Sequence, residues 1–207
     1  LSFPDVCRSR RPGAMQIDLS QCLCLMAGEF SIGRDVAAHA GVALGTFYKR
    51  FRSKEDLLVA ALEMESEKLG KRLQQKPPSG ATRLERVTNF FELATKGLTR
   101  KPNLAKAILR AVSSGDPELS SRVANFHSAM TQNITAALRG EWREDEDPGA
   151  VSQLEETVSF LLQQVWFTSL VGWSSGLHPR KMVVEQMRIA AELLLRGMTE
   201  VERESTT

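Results

Sequence analysis

The sequence predicts an all-α protein, and three observations carry that prediction. Apolar residues recur at three- and four-residue spacing through most of the chain. No run alternates β-branched and polar residues as a half-buried strand would. Leu, Ala, Glu, Arg and Met, all comfortable in helices, are plentiful. With 207 residues the chain can bury a sizeable core, in one large or two small domains. Hydrophobic residues at 42% and charged residues at 25% place it among soluble globular proteins. A net charge of +2 selects no partner, but its distribution is uneven. Residues 1–53 carry seven Lys/Arg against four Asp/Glu, a net of +3, and the remainder nets −1. A basic end joined to a neutral body suits nucleic-acid binding.

Residues 1–14 read as a disordered basic lead, with Pro4, Pro12, Gly13 and the cluster Arg8, Arg10, Arg11. The chain starts without Met, and Met15 could be an internal start. A basic arm reaching a minor groove is the functional alternative to a plain tail. Leu19–Ala27 faintly resembles a signal peptide, but Asp18 and Gln21 argue against one. Ile17–Phe30 is expected to be a first helix, built on Leu19, Cys22, Leu23, Leu25 and Met26, followed by a compressed turn, Gly28–Gly33, in which Ser31 caps the next helix. Cys7, Cys22 and Cys24 are odd in number and have no paired Cys or nearby His. Neither a disulfide framework nor a metal site is expected, and the reducing cytoplasm is the natural compartment. No stretch reaches the roughly 18 apolar residues of a membrane span.

Arg34–Leu58 is the most informative stretch. Val36, Ala37 and Ala40 form one face of a short helix, Gly41 supplies backbone freedom for a turn, and Val42 plugs the gap behind it. Leu44, Phe47, Tyr48 and Phe51 then give a second short helix with an aromatic face. Ser53 starts a third helix, with Asp56 three residues on as in a capping box. Two short helices joined through a Gly-containing turn make a helix-turn-helix, which presents its second helix to the DNA major groove. Ala43, Gly45, Thr46, Tyr48 and Lys49 would then face the groove. Spacing alone is equally compatible with a helical corner in which Tyr48 is half buried.

The pattern Val-Ala-x-x-Ala-Gly-Val-x-x-Gly-Thr-Phe-Tyr-x-x-Phe-x-Ser-Lys-Glu-x-Leu, from Val36 to Leu57 within Arg34–Ala61, resembles the DNA-binding signature of the tetracycline-repressor (TetR) family of bacterial transcriptional regulators. The resemblance implies that Thr46, Tyr48 and Lys54 contact phosphates, and that Ala43, Leu44, Gly45 and Lys49 lie near base edges. Arg34 is expected at the same interface. Double-stranded operator DNA is the implied partner. Residues 15–60 would be the helix-turn-helix domain, and residues 61–207 a helical domain for ligand binding and dimerisation.

Further along, Lys54–Gln75 is expected as a long connecting helix with Leu57, Leu58, Ala61, Leu62 and Leu69 on one stripe, ended by Lys76-Pro-Pro-Ser-Gly80. Ala81–Thr99 follows, with Leu84, Val87, Phe91, Ala94 and Leu98 along one face. Leu104–Val112 is a short helix, and Asp116 with Pro117 starts the next, Leu119–Arg139. Gly140–Gly149 is an acidic loop. Val151–Ser175 has almost no polar face after Gln164, and Arg180–Arg196 repeats the trait; about nine helices are expected in all. Two adjacent helices this apolar imply a partner subunit, most simply in a two-fold four-helix interface. Leu161, Phe167, Leu170, Val171, Met187, Ala190 and Leu194 are its expected members, in a homodimer.

The segments Arg100–Ala111, Val165–Trp173 and Arg188–Leu195 resemble regulators of steroid catabolism in actinobacteria. That resemblance implies a lipid-like, steroid or acyl-CoA effector. Residues proposed for a hydrophobic pocket are Phe90, Phe91, Ala94, Ile108, Val112, Phe126, Met130, Leu162, Trp166, Ser169 and Trp173, a mix of aromatics, Met and one hydroxyl that suits an apolar ligand with a polar end. His127 reads as a surface or satisfied residue and His178 as a helix cap. No nucleophile elbow, Gly-rich phosphate loop or metal-spaced cluster occurs, so no cofactor and no catalytic residue is expected. The reading is a ligand-responsive, DNA-binding repressor. Its rivals are a helical enzyme and a protein-interaction module with a vestigial helix-turn-helix.

Overall fold

A computed structural model describes residues 37, 41, 43–142 and 152–204. The lead, the first helix, Arg34 and the acidic loop past Trp142 lie outside the described residues, as does the side chain of Phe47. Seven of the nine expected helices lie within them: α1 (Leu44–Arg50), α2 (Lys54–Gln75), α3 (Arg83–Thr99), α4 (Pro102–Val112), α5 (Ser120–Arg139), α6 (Gln153–Ser174) and α7 (Arg180–Glu204), with a 3-10 turn at Pro117–Leu119. The described residues contain no strand, and none of their helices is long and apolar enough to cross a membrane.

Contacts divide the chain into two compact units, Leu1–Glu65 with Lys101–Val123, and Ser66–Arg100 with Ala124–Thr207. In the first unit, Gly41 takes a φ of 65° just ahead of α1, a left-handed geometry that glycine adopts without a Cβ clash. Phe51, Leu57, Leu58, Ala61 and Leu62 are buried. Ser53 Oγ accepts the Asp56 N–H at 3.0 Å. The Asp56 carboxylate reaches back to the Arg52 N–H, also at 3.0 Å, so it satisfies a donor one residue ahead of the cap. Pro102 opens α4, where a missing N–H costs nothing. Asp116 caps the 3-10 turn by accepting the Glu118 N–H at 2.9 Å.

The second unit is organised by caps and pairs. Thr82 with Glu85, and Ser152 with Glu155, form reciprocal capping boxes at the starts of α3 and α6. Arg86 donates to the Ala137 and Leu138 carbonyls at 3.0 and 2.8 Å, closing the C-terminal end of α5. Arg139 binds Glu155 at 2.7 Å, tying α5 to the first turn of α6. That hydrogen bond is the main reason the Glu155 carboxyl is held below its ordinary range. The last helix packs against α6 and α3 and runs past Arg196 to Glu204. Its final turns are anchored by Met198, which is buried.

Candidate functional site

The DNA-facing residues expected from sequence fall together on one short element. Ala43, just ahead of α1, and Leu44, Gly45, Thr46, Tyr48 and Lys49 along it are all exposed, and Lys54 is exposed in the first turn of α2. Tyr48 keeps 53% of its surface in water while Phe51, three residues on, keeps 3%. Packing buries Phe51 just past the end of α1 and leaves about half of the tyrosine in water. A Cβ built on Gly45 meets nothing within 4 Å, so the glycine faces open space. Arg50 lies 6.0 Å from the Phe51 ring centroid, and Lys49, Arg50, Arg52 and Lys54 together make an exposed basic strip. Short side chains beside concentrated positive charge allow close approach to a polyanion.

The proposed effector residues divide between the units. Ile108 and Val112 belong to the first. The rest belong to the second, where Phe90, Phe91, Ala94, Phe126, Met130, Leu162, Trp166 and Ser169 are buried and Trp173 is half-buried. Phe91 stands 5.1 Å from Phe90 and 5.9 Å from Trp166, ring centre to ring centre. The Trp166 indole donates to Thr95 Oγ1 at 2.9 Å, a buried bond that the sequence reading did not include.

A row of polar groups joins α5 to α6 beside these rings. Thr135 and Ser159 share a hydrogen bond of 2.9 Å, Thr131 donates to Gln163 at 2.8 Å, and the Gln163 amide pairs with His127 Nδ1. The His127 ring lies edge-on to Phe126 and Phe167, at 5.7 and 6.3 Å between centres. Burial lowers the His127 pKa and favours the neutral imidazole. The signal available for this row was three polar residues at four-residue spacing, 127, 131 and 135, on one side of α5. His178 packs on α6 instead of merely ending it: a Cβ at Gly172 would lie 2.6 Å from His178 Nε2.

Of the residues expected at a subunit interface, Leu170 and Met187 are at most 1% exposed within the single chain. They are core residues that brace the face from behind. Leu161 is exposed, and Phe167, Val171, Ala190 and Leu194 are half-buried. Phe160, Ile189 and Leu193, which the sequence reading left out, are 51%, 45% and 65% exposed. A separate open groove of about 570 Å³, lined by residues such as Thr82, Arg83, Leu195 and Arg203, shares no residue with the aromatic cluster.

Comparison with known proteins agrees with this arrangement. Residues 33–61 match the family profile described as bacterial regulatory proteins, tetR family, and residues 80–194 match the tetracyclin repressor-like, C-terminal domain. The HTH-type transcriptional repressor KstR of Rhodococcus jostii (strain RHA1) is 32% identical over 162 residues, which cover 78% of this chain and 72% of that protein. The crystal structure of a TetR transcriptional regulator from Rhodococcus sp. RHA1 superposes with a TM-score of 0.72 at 25% identity, covering 87% of this chain and 95% of that one. Thermus thermophilus FadR, solved in complex with lauroyl-CoA, shares the fold with a TM-score of 0.62 at 20% identity, covering 87% and 93% of the two chains. With the second profile matching more than half of its length, the chain belongs to the TetR family of bacterial transcriptional regulators.

Proposed function

We infer that the protein is a homodimeric repressor that leaves its operator when an apolar small molecule binds the second unit. The observation that carries this is α1: a short helix held from behind by buried Phe51 while its small, hydroxyl and basic residues face water. Thr46, Tyr48 and Lys54 position the helix through phosphates, Ala43, Leu44, Gly45 and Lys49 approach base edges, and Arg34 adds charge at the same face. The exposed apolar side chains of α6 and α7 support a two-fold interface. Ile189 and Leu193 are four residues apart and share one helical face. A dimer would hold its two recognition helices about 34–36 Å apart, one turn of DNA.

Two observations support an apolar effector. The body segments resemble regulators of actinobacterial steroid catabolism, and a protein of the same fold was solved with lauroyl-CoA. Phe90, Phe91, Trp166, Phe126 and Met130 would contact the apolar part, with Ser169 or the α5–α6 polar row meeting a polar end. The effector acts only through its differential affinity for the DNA-binding and DNA-free conformations. A mobility-shift assay with DNA upstream of the gene tests the reading. Wild type should shift it, Lys54→Ala should weaken every sequence alike, and a long-chain acyl-CoA or sterol should release it. Undiminished binding by both Tyr48→Ala and Lys54→Ala would overturn the assignment of this face.

A further inference from the structure

The first unit holds an ion cluster that DNA contact does not use. Arg122, in the first turn of α5, places Nε 2.7 Å from Asp56 Oδ1 and Nη1 2.6 Å from Glu63 Oε2. The side chains of Asp56 and Glu63 are only 12% and 19% exposed, and that of Arg122 is 35% exposed. Asp56 and Glu63 stand two turns apart on one face of α2, and one guanidinium fork spans both. Burial works against the Arg122 charge, but the hydrogen bonds and negative charge of Glu63 and Asp56 outweigh it and raise its pKa. The second Asp56 oxygen accepts the Arg52 N–H, two residues after the last residue of α1. A continuous chain of polar contacts therefore runs from Arg122 through Asp56 to the backbone that closes the recognition helix.

Both helices joined here also cross the boundary between the units. α2 passes it after Glu65 and α5 after Val123, one residue beyond Arg122. We propose that Arg122 is a positioning residue for DNA binding: it locks the first turn of α5 to the start of α2, so that α5 sets the stance of the recognition helix as well as α2. The inference rests on reading α1 as that helix. An ordinary exposed ion pair would contribute little. This one withdraws two carboxylates from water and leaves them facing each other if the arginine is lost.

Full-length Arg122→Gln decides the matter, using the duplex that wild-type protein selects from a random-sequence pool. Affinity should fall by about tenfold or more, because the substitution removes the charge-assisted bonds to both Asp56 and Glu63. Deuterium uptake across residues 44–62 should rise while uptake across α6 and α7 stays unchanged. Arg122→Lys should recover part of the affinity, because an ammonium cannot span both carboxylates. Wild-type affinity and wild-type uptake in Arg122→Gln would overturn the proposal. If wild type selects no duplex, the DNA-binding reading fails, and the uptake comparison still judges the clamp: faster exchange across residues 44–62 supports it, unchanged exchange overturns it. Should Arg122→Gln not fold, Glu63→Gln keeps the Asp56 bond and is judged by the same exchange criterion.

Discussion

The shortest described helix and the most apolar one divide the labour of this protein. α1 has seven residues, too few to be stable alone in water, and it presents Leu44 and Tyr48 to solvent. α6 has 22 residues and turns even Ser159, Gln163 and Ser169 into the interior. In α1 the residues proposed to meet DNA are exposed ones. On the inward face of α6 two of the buried polar residues are held by partners: Gln163 with Thr131 and His127, Ser159 with Thr135. The exposed face of α1 can therefore vary at little cost to the fold, whereas the inward face of α6 cannot change without repacking.

That contrast can be broken most forcefully at one aromatic in each region. Trp166→Ala removes a buried indole, its bond to Thr95 and its contact with Phe91, and should cost about 3–5 kcal/mol in denaturant or thermal unfolding. Tyr48→Ala should stay within about 0.5 kcal/mol of wild type in the same assay, yet abolish operator binding. Equal destabilisation by the two would erase the distinction.

A smaller effect should appear on acidification. His127 is held neutral by burial, so its folded pKa lies below its ordinary 6.5. The stability it permits is complete above that value and is lost as pH falls through the lowered one, because the unfolded chain takes up the proton first. Unfolding midpoints should therefore fall on acidification from pH 6.5, before the paired carboxylates titrate. His127→Gln should flatten the profile in that window; an unchanged slope would remove His127 as the cause.

The smallest change sharpens the comparison from the other side. Gly45→Ala adds a methyl where nothing lies within 4 Å, so stability should rise by roughly 0.5 kcal/mol from the better helix former. Operator affinity should nevertheless drop, since the added group stands on the side that approaches DNA. A variant both more stable and equally tight would place Gly45 away from the groove.

Local physics made much of this molecule readable in advance. The helix start at Lys54 follows from Ser53, and the family signature pointed to the exposed helix by its residue types, whereas the start expected at Leu104 lies two residues inside the observed one, because Pro102 serves as a first helical residue. The stop expected at Arg196 is too early: the helix runs on through Gly197 to Glu204, with Met198 buried. Thr95 and Gln163 were passed over, and His127 was read only as a surface or satisfied residue, because a buried polar residue looks ordinary until its partner, 32 to 71 residues away, is known.

The chain by itself determined its described helices, its exposed basic segment and its family, since capping, periodicity and a short contiguous motif are properties of neighbouring residues. Tertiary structure alone decided which apolar residues of α6 and α7 are core and which are surface, because burial depends on what packs opposite. It alone decided that Arg122 meets Asp56 and Glu63, a meeting of charges 66 and 59 positions apart that no local pattern encodes.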